Sequence, residues 1–472
     1  MSRTAVQILT GFLLLSSALA LNKYIDKYEQ LSYDTANAKR ELTRRSSTFL
    51  DEKNIAPLRI RFKAFNRCFH LVLRPILSDA PTFAEDFKVF KDDIHHVIRP
   101  NLFLYQGYVK CDSKSLVYGS LFDGIFDGHI YLSDGNSFTI EKTAKYYSAY
   151  ERNTSFHSVI YHDNEKHMRS LSPSPVSLSS SYSSREVILD EFAARRARRN
   201  ILDKDAMGRY TGRACTMHLQ ADHRLYAGVF VKEGNHDPIR TMEEIVSMFY
   251  IHMRSVNEIY EATNFNGVEG INFPIKEISI FTPVQCYYRF GGSCENQADI
   301  FKYLDDFSLT NHSRFCLSYS MTYREFHDGI LGAAHKFHRG TREVDGICGG
   351  HHQYLANGRY QYKSLNTGMI TFRREGHRLP PRTTQLVLAH ELGHSLGADH
   401  DNEMDKHSEG IYIMHPAATL TPGDLPNHSK FSKESIANIS AVLDVVLKYQ
   451  PYNPAQEPAP LGWNGLRANC LQ

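Results

Sequence analysis

The chain has 472 residues, with 54 Lys and Arg against 52 Asp and Glu for a formal charge of +2, and it is 42% hydrophobic and 12% aromatic. That length rules out a disulfide-stapled peptide and allows two to four domains at roughly 100–200 residues each. The hydrophobic content excludes global disorder, and the near-zero charge removes the positive field of a protein whose main partner is nucleic acid.

In chain order, Arg3, the apolar run from Ile8 to Leu15 and the Ala18-Leu19-Ala20 pattern predict a secretory signal peptide over residues 1–20. The run is too short to span a bilayer, and no later segment approaches 18 uninterrupted apolar residues. An N-terminal anchor helix is the alternative. The mature chain is therefore expected in the secretory pathway, secreted or at the cell surface, where the sequons at Asn153, Asn311, Asn427 and Asn438 can be glycosylated.

Residues 21–169 read as a β-rich region. Leu58 to Phe62 alternates apolar with basic, Phe69 to Leu73 continues as a strand, and Gly119, Gly124 and Gly128 are read as turn residues. Composition then shifts to Ser and Pro between Ser170 and Ser184, a linker that cannot form a core. It leads into Arg195-Arg196-Ala197-Arg198-Arg199. A charge run is commonly a solvated helix face, but in a secretory chain, between two foldable segments, Arg196, Arg198 and Arg199 form the pattern that furin-like convertases cut. The expected division is a signal peptide (1–20), a pro-segment (21–169), a linker with the basic site (170–199), an α/β domain (200–450) and a tail (451–472).

The second segment alternates strands with helices. Cys215 to Leu219, Ile275 to Phe281 and Phe315 to Ser320 are read as strands, and Met242 to Thr263 shows helical spacing. Thr383 or Thr384 is expected to cap a helix running into His390-Glu391-Leu392-Gly393-His394. Residues four apart share a helical face, so both imidazoles can reach one metal ion. Gly397 can end the helix with a positive φ and bring His400 round as a third ligand. A chance match to these five fixed residues is on the order of one in ten thousand for a chain of this length. His351, His352, His95 and His96 are not read as ligands. Three histidines leave one position of a tetrahedral zinc open, the mark of a catalytic ion, and Glu391 sits where it can act as general base. The reading is metal-assisted peptide hydrolysis with one Zn2+. A catalytically silent binding protein or decoy of the same fold is the alternative.

The elongated motif followed by Asp401, with Met414 in Tyr412-Ile413-Met414, resembles the metzincins of the ADAM (adamalysin) group. Astacins carry Glu and matrixins commonly Ser or Thr after the third His, so Asp401 weighs against both. Leu21 to Ile25, Leu31-Ser-Tyr33, Phe156 to His162, Ser364 to Gly368 and Asn438-Ile-Ser440 narrow the resemblance to the Kuzbanian-type subgroup. It implies a metzincin domain with a twisted mixed sheet, an active-site helix and a Met-turn formed by Met414, preceded by a β-rich prodomain that inhibits the enzyme. Gly329 to Ala334 would be the edge strand against which substrate lies. The implied substrates are membrane-protein ectodomains, Notch-type signalling proteins among them. His335-Lys336 replace the aromatic and apolar residues that relatives carry after this strand.

The resemblance also implies a disulfide between Cys215 and Cys316. Cys286 and Cys294, eight apart in a Gly-containing loop, are expected to bridge locally, and Cys348 with Cys470 by elimination. No cysteine lies between Cys111 and Cys215, where relatives place a zinc-binding switch. A Cys68–Cys111 disulfide with steric latency is therefore favoured over a thiolate on zinc. Family members continue into disintegrin-like and membrane segments, whereas this sequence stops after a short tail.

Overall fold

The computed structural model describes residues 21–25, 27–46, 56–76, 81–147, 155–163, 214–290, 298–337, 345–356, 359–401, 411–416, 427–448 and 471. Residues 1–20, the Ser/Pro linker and Arg196, Arg198 and Arg199 lie outside them, as do Asn153, Cys294 and Cys470.

The N-terminal region contains β1 (Glu29–Leu31), α1 (Thr35–Ser46), β2 (Leu58–Ala64), β3 (Arg67–Pro75), β4 (Phe83–Lys91), β5 (Ile94–His96), β6 (Leu104–Val109), β7 (Asp112–Phe122), β8 (Ile125–Tyr131), β9 (Ser137–Lys142) and β10 (Ser158–His162). Eight of these strands form one antiparallel sheet in the order β1-β10-β9-β8-β7-β6-β3-β2. Its end strands β1 and β2 approach each other, so the sheet curls towards closure. The alternation read in the sequence sets the faces: Leu58 and Ile60 are buried in β2 while Arg59 and Arg61 are not. With Leu71, Leu73, Phe126, Phe138 and Ile140 they build a core of the region's own.

One glycine reading is corrected. Gly124 is a turn residue at φ +83°, but Gly119 and Gly128 pair with each other in mid-strand between β7 and β8. A Cβ on either would come within 2.2 Å of a carbonyl oxygen on the facing strand, so close backbone approach requires glycine there, not a turn.

The second half contains β11 (Met217–Ala221), α2 (His223–Val231), α3 (Pro238–Ala262), β12 (Ile275–Ile280), α4 (Pro283–Phe290), α5 (Ile300–Ser308), β13 (Leu317–Thr322), β14 (Gly332–Ala334), β15 (His351–Ala356), β16 (Arg359–Ser364), β17 (Thr367–Thr371), β18 (Arg373–Arg374), β19 (His377–Arg378), α6 (Pro381–Ser395) and α7 (Lys433–Lys448). Helix α3 starts four residues before the expected Met242. Asp237 caps it by accepting from the backbone N–H groups of Ile239 and Arg240, and Pro238 supplies a preset φ in the first turn. Its apolar face, including Ile245, Phe249, Val256 and Tyr260, is buried beneath the sheet.

That sheet has seven strands in the order β14-β17-β13-β11-β12-β4-β5. The five from this half form the expected mixed α/β layer, parallel except for β14, which runs antiparallel to β17 at one edge. The other two come from the N-terminal region: β4 lies parallel to β12, with Val89 opposite Ile278, and β5 turns back on β4. Asp92 in the β4–β5 turn accepts from the Thr282 backbone N–H at 2.8 Å and from its hydroxyl at 2.9 Å. Phe83, Tyr118, Phe122 and Tyr161 belong to the same core as Met248, Phe249 and Tyr250, and Phe83 stacks on Tyr250 with ring centroids 5.8 Å apart. The two halves are packed into one body.

Candidate metal centre and active site

The site is built on α6. The helix begins at Pro381, after the non-helical Pro380, and not at the expected threonine cap. Proline at the first helical position needs no N–H partner. Thr383 and Thr384 lie buried inside the first turn, where the Thr384 hydroxyl donates to the Pro381 carbonyl and lies 2.8 Å from His252 Nε2 of α3. At the other end the expectation holds: Gly397 has φ +93°, and the N–H groups of Gly397 and Ala398 donate to the carbonyls of His394 and Gly393, a Schellman-type cap. This turn carries the chain round to His400.

His390, His394 and His400 converge. The Nε2 atom of His394 is 3.1 Å from that of His390 and 3.0 Å from that of His400. Each ligating atom lies within 4.8 Å of the other two, and this is the one such group among the described residues. The Ile413 carbonyl accepts from His390 Nδ1 at 2.7 Å and the Ala398 carbonyl from His394 Nδ1 at 2.9 Å. Carbonyls only accept, so both Nδ1 atoms carry the proton and both Nε2 lone pairs face the common centre. Burial, and after it the neighbouring imidazoles, push His390 far below the usual histidine range and His394 to about 4, against the opposing effect of their carbonyl partners. His400 is lowered as well, chiefly by burial. Neutral imidazoles with converging lone pairs are the donor set a metal cation requires.

Beneath them, Ile413 and Met414 form a turn whose backbone is tied on both sides: Ile413 N–H donates to Lys430 and Asp401 N–H to Met414. A Cβ on Gly393 would lie 2.4 Å from Met414 Sδ, so the glycine between the two helical histidines lets the methionine seat against the helix. Asp401 also accepts from the hydroxyls of Ser432 and Ser435 at 2.6 and 2.9 Å, and Ser432 in turn caps α7 by accepting from the Ser435 N–H. The sequence used Asp401 only to separate protease groups; its role in joining the third histidine, the Met-turn and α7 was not legible there.

Glu391 is 6% exposed and has no hydrogen-bond partner among the described residues; burial pushes its carboxyl up to about 8. It lies against Gly332 of the edge strand β14, where a Cβ would come within 2.5 Å of Glu391 Oε1. The expected edge strand is thus in place beside the expected base.

With this geometry, similarity to known proteins can be weighed. The sequence model of the metallo-peptidase family M12B, reprolysin-like, matches residues 239–445. The disintegrin and metalloproteinase domain-containing protein 10 homolog of Caenorhabditis elegans is 40% identical over 96% of this chain and 52% of its own length. The human disintegrin and metalloproteinase domain-containing protein 10 is 30% identical over 90% of this chain and 56% of its own. The chain carries a reprolysin-like M12B metallopeptidase domain and is homologous over most of its length to disintegrin and metalloproteinase domain-containing proteins. It spans about half the length of the curated relatives it matches.

Within this M12B fold the other expectations fall out unevenly. Cys215 and Cys316 form a disulfide linking the entries to β11 and β13. Cys286 and Cys348 are also disulfide-bonded, but their expected partners Cys294 and Cys470 lie outside the described residues. The expected Cys68–Cys111 bridge is corrected: both are exposed free thiols. Cys68 is on β3 and Cys111 in the two-residue β6–β7 turn, and neither joins the histidine group. Asn311 is exposed, Asn427 is buried and Asn438 is half-buried on α7. His335 turns inward, 2.9 Å from Thr367 Oγ1, and Lys336 pairs with Asp399 beside His400. Among the described residues, no hydrogen bond or ion pair joins the N-terminal region to the triad or Glu391. No helix of the described residues is long and apolar enough to cross a membrane.

Proposed function

We propose that this chain is a zinc metalloendopeptidase of the secretory pathway, made as a zymogen that a furin-like convertase cuts after Arg199, and that it acts on membrane-protein ectodomains, Notch-type signalling substrates among them. The observation that carries the catalytic reading is the convergence of three Nε2 atoms beside a buried carboxylate and an open sheet edge. His390, His394 and His400 would hold the ion, which supplies Lewis-acid polarisation of the scissile carbonyl and a lowered water pKa.

The remaining steps belong to the protein. Substrate lies antiparallel to β14 and is held by backbone hydrogen bonds. Glu391 takes the proton of the attacking water and passes it to the leaving amine nitrogen. Met414 and the carbonyls of Ile413 and Ala398 keep the imidazoles fixed throughout. The ectodomain class rests on the resemblance of the sequence to the Kuzbanian-type subgroup; the relatives support the metalloproteinase part of the reading.

Purified, processed wild type and Glu391→Ala settle the catalytic reading. Zinc-loaded wild type should cleave a fluorogenic peptide at least about 100-fold faster than the variant, the lower range for a general base. Equal rates would refute it.

A further inference from the structure

The chain as a whole is close to neutral at +2, yet one face of the N-terminal sheet carries positive charge alone. Leu58 and Ile60 of β2 and Phe69, Leu71 and Leu73 of β3 point into the sheet's own core, so alternation turns Arg59, Arg61 and Lys63, together with His70, to the opposite face. The register sets them side by side. Arg61 lies opposite His70, and Lys110, just after β6, donates its backbone N–H to the His70 carbonyl. Arg59, Arg61, Lys63 and Lys110 are all exposed, and none of them forms an ion pair with another described residue.

His70 marks the centre of the patch. Arg61 Nε donates to His70 Nε2 at 3.3 Å, and partial burial, followed by the positive charges of Arg61, Lys110 and Arg59, holds the imidazole below the usual histidine range. Two carboxylates in the neighbouring turns are engaged elsewhere: Asp112 accepts from the backbone N–H groups of Lys114 and Ser133, and Asp134 pairs with Arg67. Like charges side by side on a sheet destabilise it, so folding alone does not favour this arrangement. Charge on an edge strand guards against edge-to-edge pairing, which accounts for cations on β2 at the end of the sheet order. It does not account for Lys110, two strands further in, or for the single sign.

We propose that this face binds a linear sulfated polysaccharide of the heparan sulfate class, whose sulfates are held by Arg59, Arg61, Lys63 and Lys110. The cations of β2 recur at every second residue, about 7 Å apart, a row that suits a charged chain better than a single anion, and the arginine forks can bond oxyanions in pairs. A basic surface that binds membranes adds apolar side chains that enter the interface. Here Tyr108 is the one large apolar side chain exposed on β2, β3 or β6 among the described residues, and the leaflet rich in anionic lipid faces the cytoplasm. The choice of polyanion rests on the proposed secretory reading, whereas the binding is independent of peptide hydrolysis. Bound in this way, the chain is concentrated where such polysaccharides are carried.

The test uses the uncut full chain and heparin as the probe. Wild type should bind immobilised heparin at about 0.15 M salt, the physiological ionic strength. Arg59→Thr, Arg61→Thr and Lys110→Ser combined should weaken that binding roughly 100-fold, a factor of about five for each cation lost beside an anionic surface. Arg61→Thr alone should weaken it about five-fold and serves if the triple variant loses the wild-type circular dichroism. Lys39→Ser, Lys276→Ser and Lys302→Ser combined remove the same charge from outside the patch and should leave affinity unchanged. No retention of wild type would overturn the proposal, as would an equal loss in both triple variants, which would reduce the effect to net charge. Tighter binding to phosphatidylserine-containing vesicles than to heparin would assign the face to a membrane instead.

Discussion

Glu391 Oε1 and Gly332 are so close that a single methyl group on the glycine would overlap the carboxylate at 2.5 Å. The proposed base and the proposed substrate strand are thus fitted to each other through the absence of a side chain. Gly332→Ala should displace Glu391 while leaving the histidines in place, since the Ile413 and Ala398 carbonyls hold His390 and His394. Misplacement of a reacting group by about 1 Å costs on the order of 100-fold in rate. The expected result is that loss in kcat on a peptide substrate with zinc content unchanged; full activity would show that the strand yields.

Asp401 is the knot between the third histidine, the Met-turn and α7. Asp401→Ala removes two hydroxyl hydrogen bonds to a buried carboxylate, each worth roughly 1.5–3 kcal/mol. Net destabilisation of about 2–4 kcal/mol is expected in thermal or denaturant unfolding. Because His400 precedes it, zinc should also pass to a competing chelator roughly 10–100 times more readily, the effect typical of removing groups that orient ligands.

The disulfide between Cys215 and Cys316 closes a loop of 101 residues. In the chain-entropy account a loop of this length contributes about 4–5 kcal/mol by restricting the unfolded state. Replacing both cysteines by alanine should lower unfolding free energy by about 3–5 kcal/mol in urea, with peptide hydrolysis intact at low temperature.

His252 provides a pH dependence whose sign can be worked out. It is buried on α3, donates from Nδ1 to the Met248 carbonyl, and is pushed down to about 3, chiefly by burial. Unfolding frees it to take a proton near pH 6.5. Stability from this group is present above that value and declines as pH falls towards 3, by up to about 1.4 kcal/mol per unit. Between pH 7 and 5.5 the wild type should lose on the order of 1 kcal/mol that His252→Gln does not lose. Parallel pH profiles for the two proteins would contradict this assignment.

The sequence made local chemistry legible where spacing and geometry coincide. Four-residue separation placed His390 and His394 on one face, and Gly397 marked the turn that delivers His400, because each is a property of one helix and its end. The start of that helix was misread, since Thr383 and Thr384 look like caps until Pro380-Pro381 is seen to preset the first turn. Gly119 and Gly128 were misread because a glycine required by backbone approach across two strands is indistinguishable, in one strand, from a turn glycine. The contact between β4 and β12 was invisible for a further reason: Phe83–Lys91 alternates like any edge strand, and nothing in it names a partner nearly two hundred residues away.

That pairing sets a clock on biosynthesis. Phe83 lies opposite Ile275, so the ribosome must add 192 more residues before the strand can find its place. At 5–20 residues per second this is roughly 10–40 s. Over that interval β4 is an unpaired edge, open to pairing with other chains. A pairing begun among the first strands is therefore completed only once the second half of the chain is made, and the yield of folded protein should respond to translation rate and to holdase chaperones more than to the stability of the finished molecule.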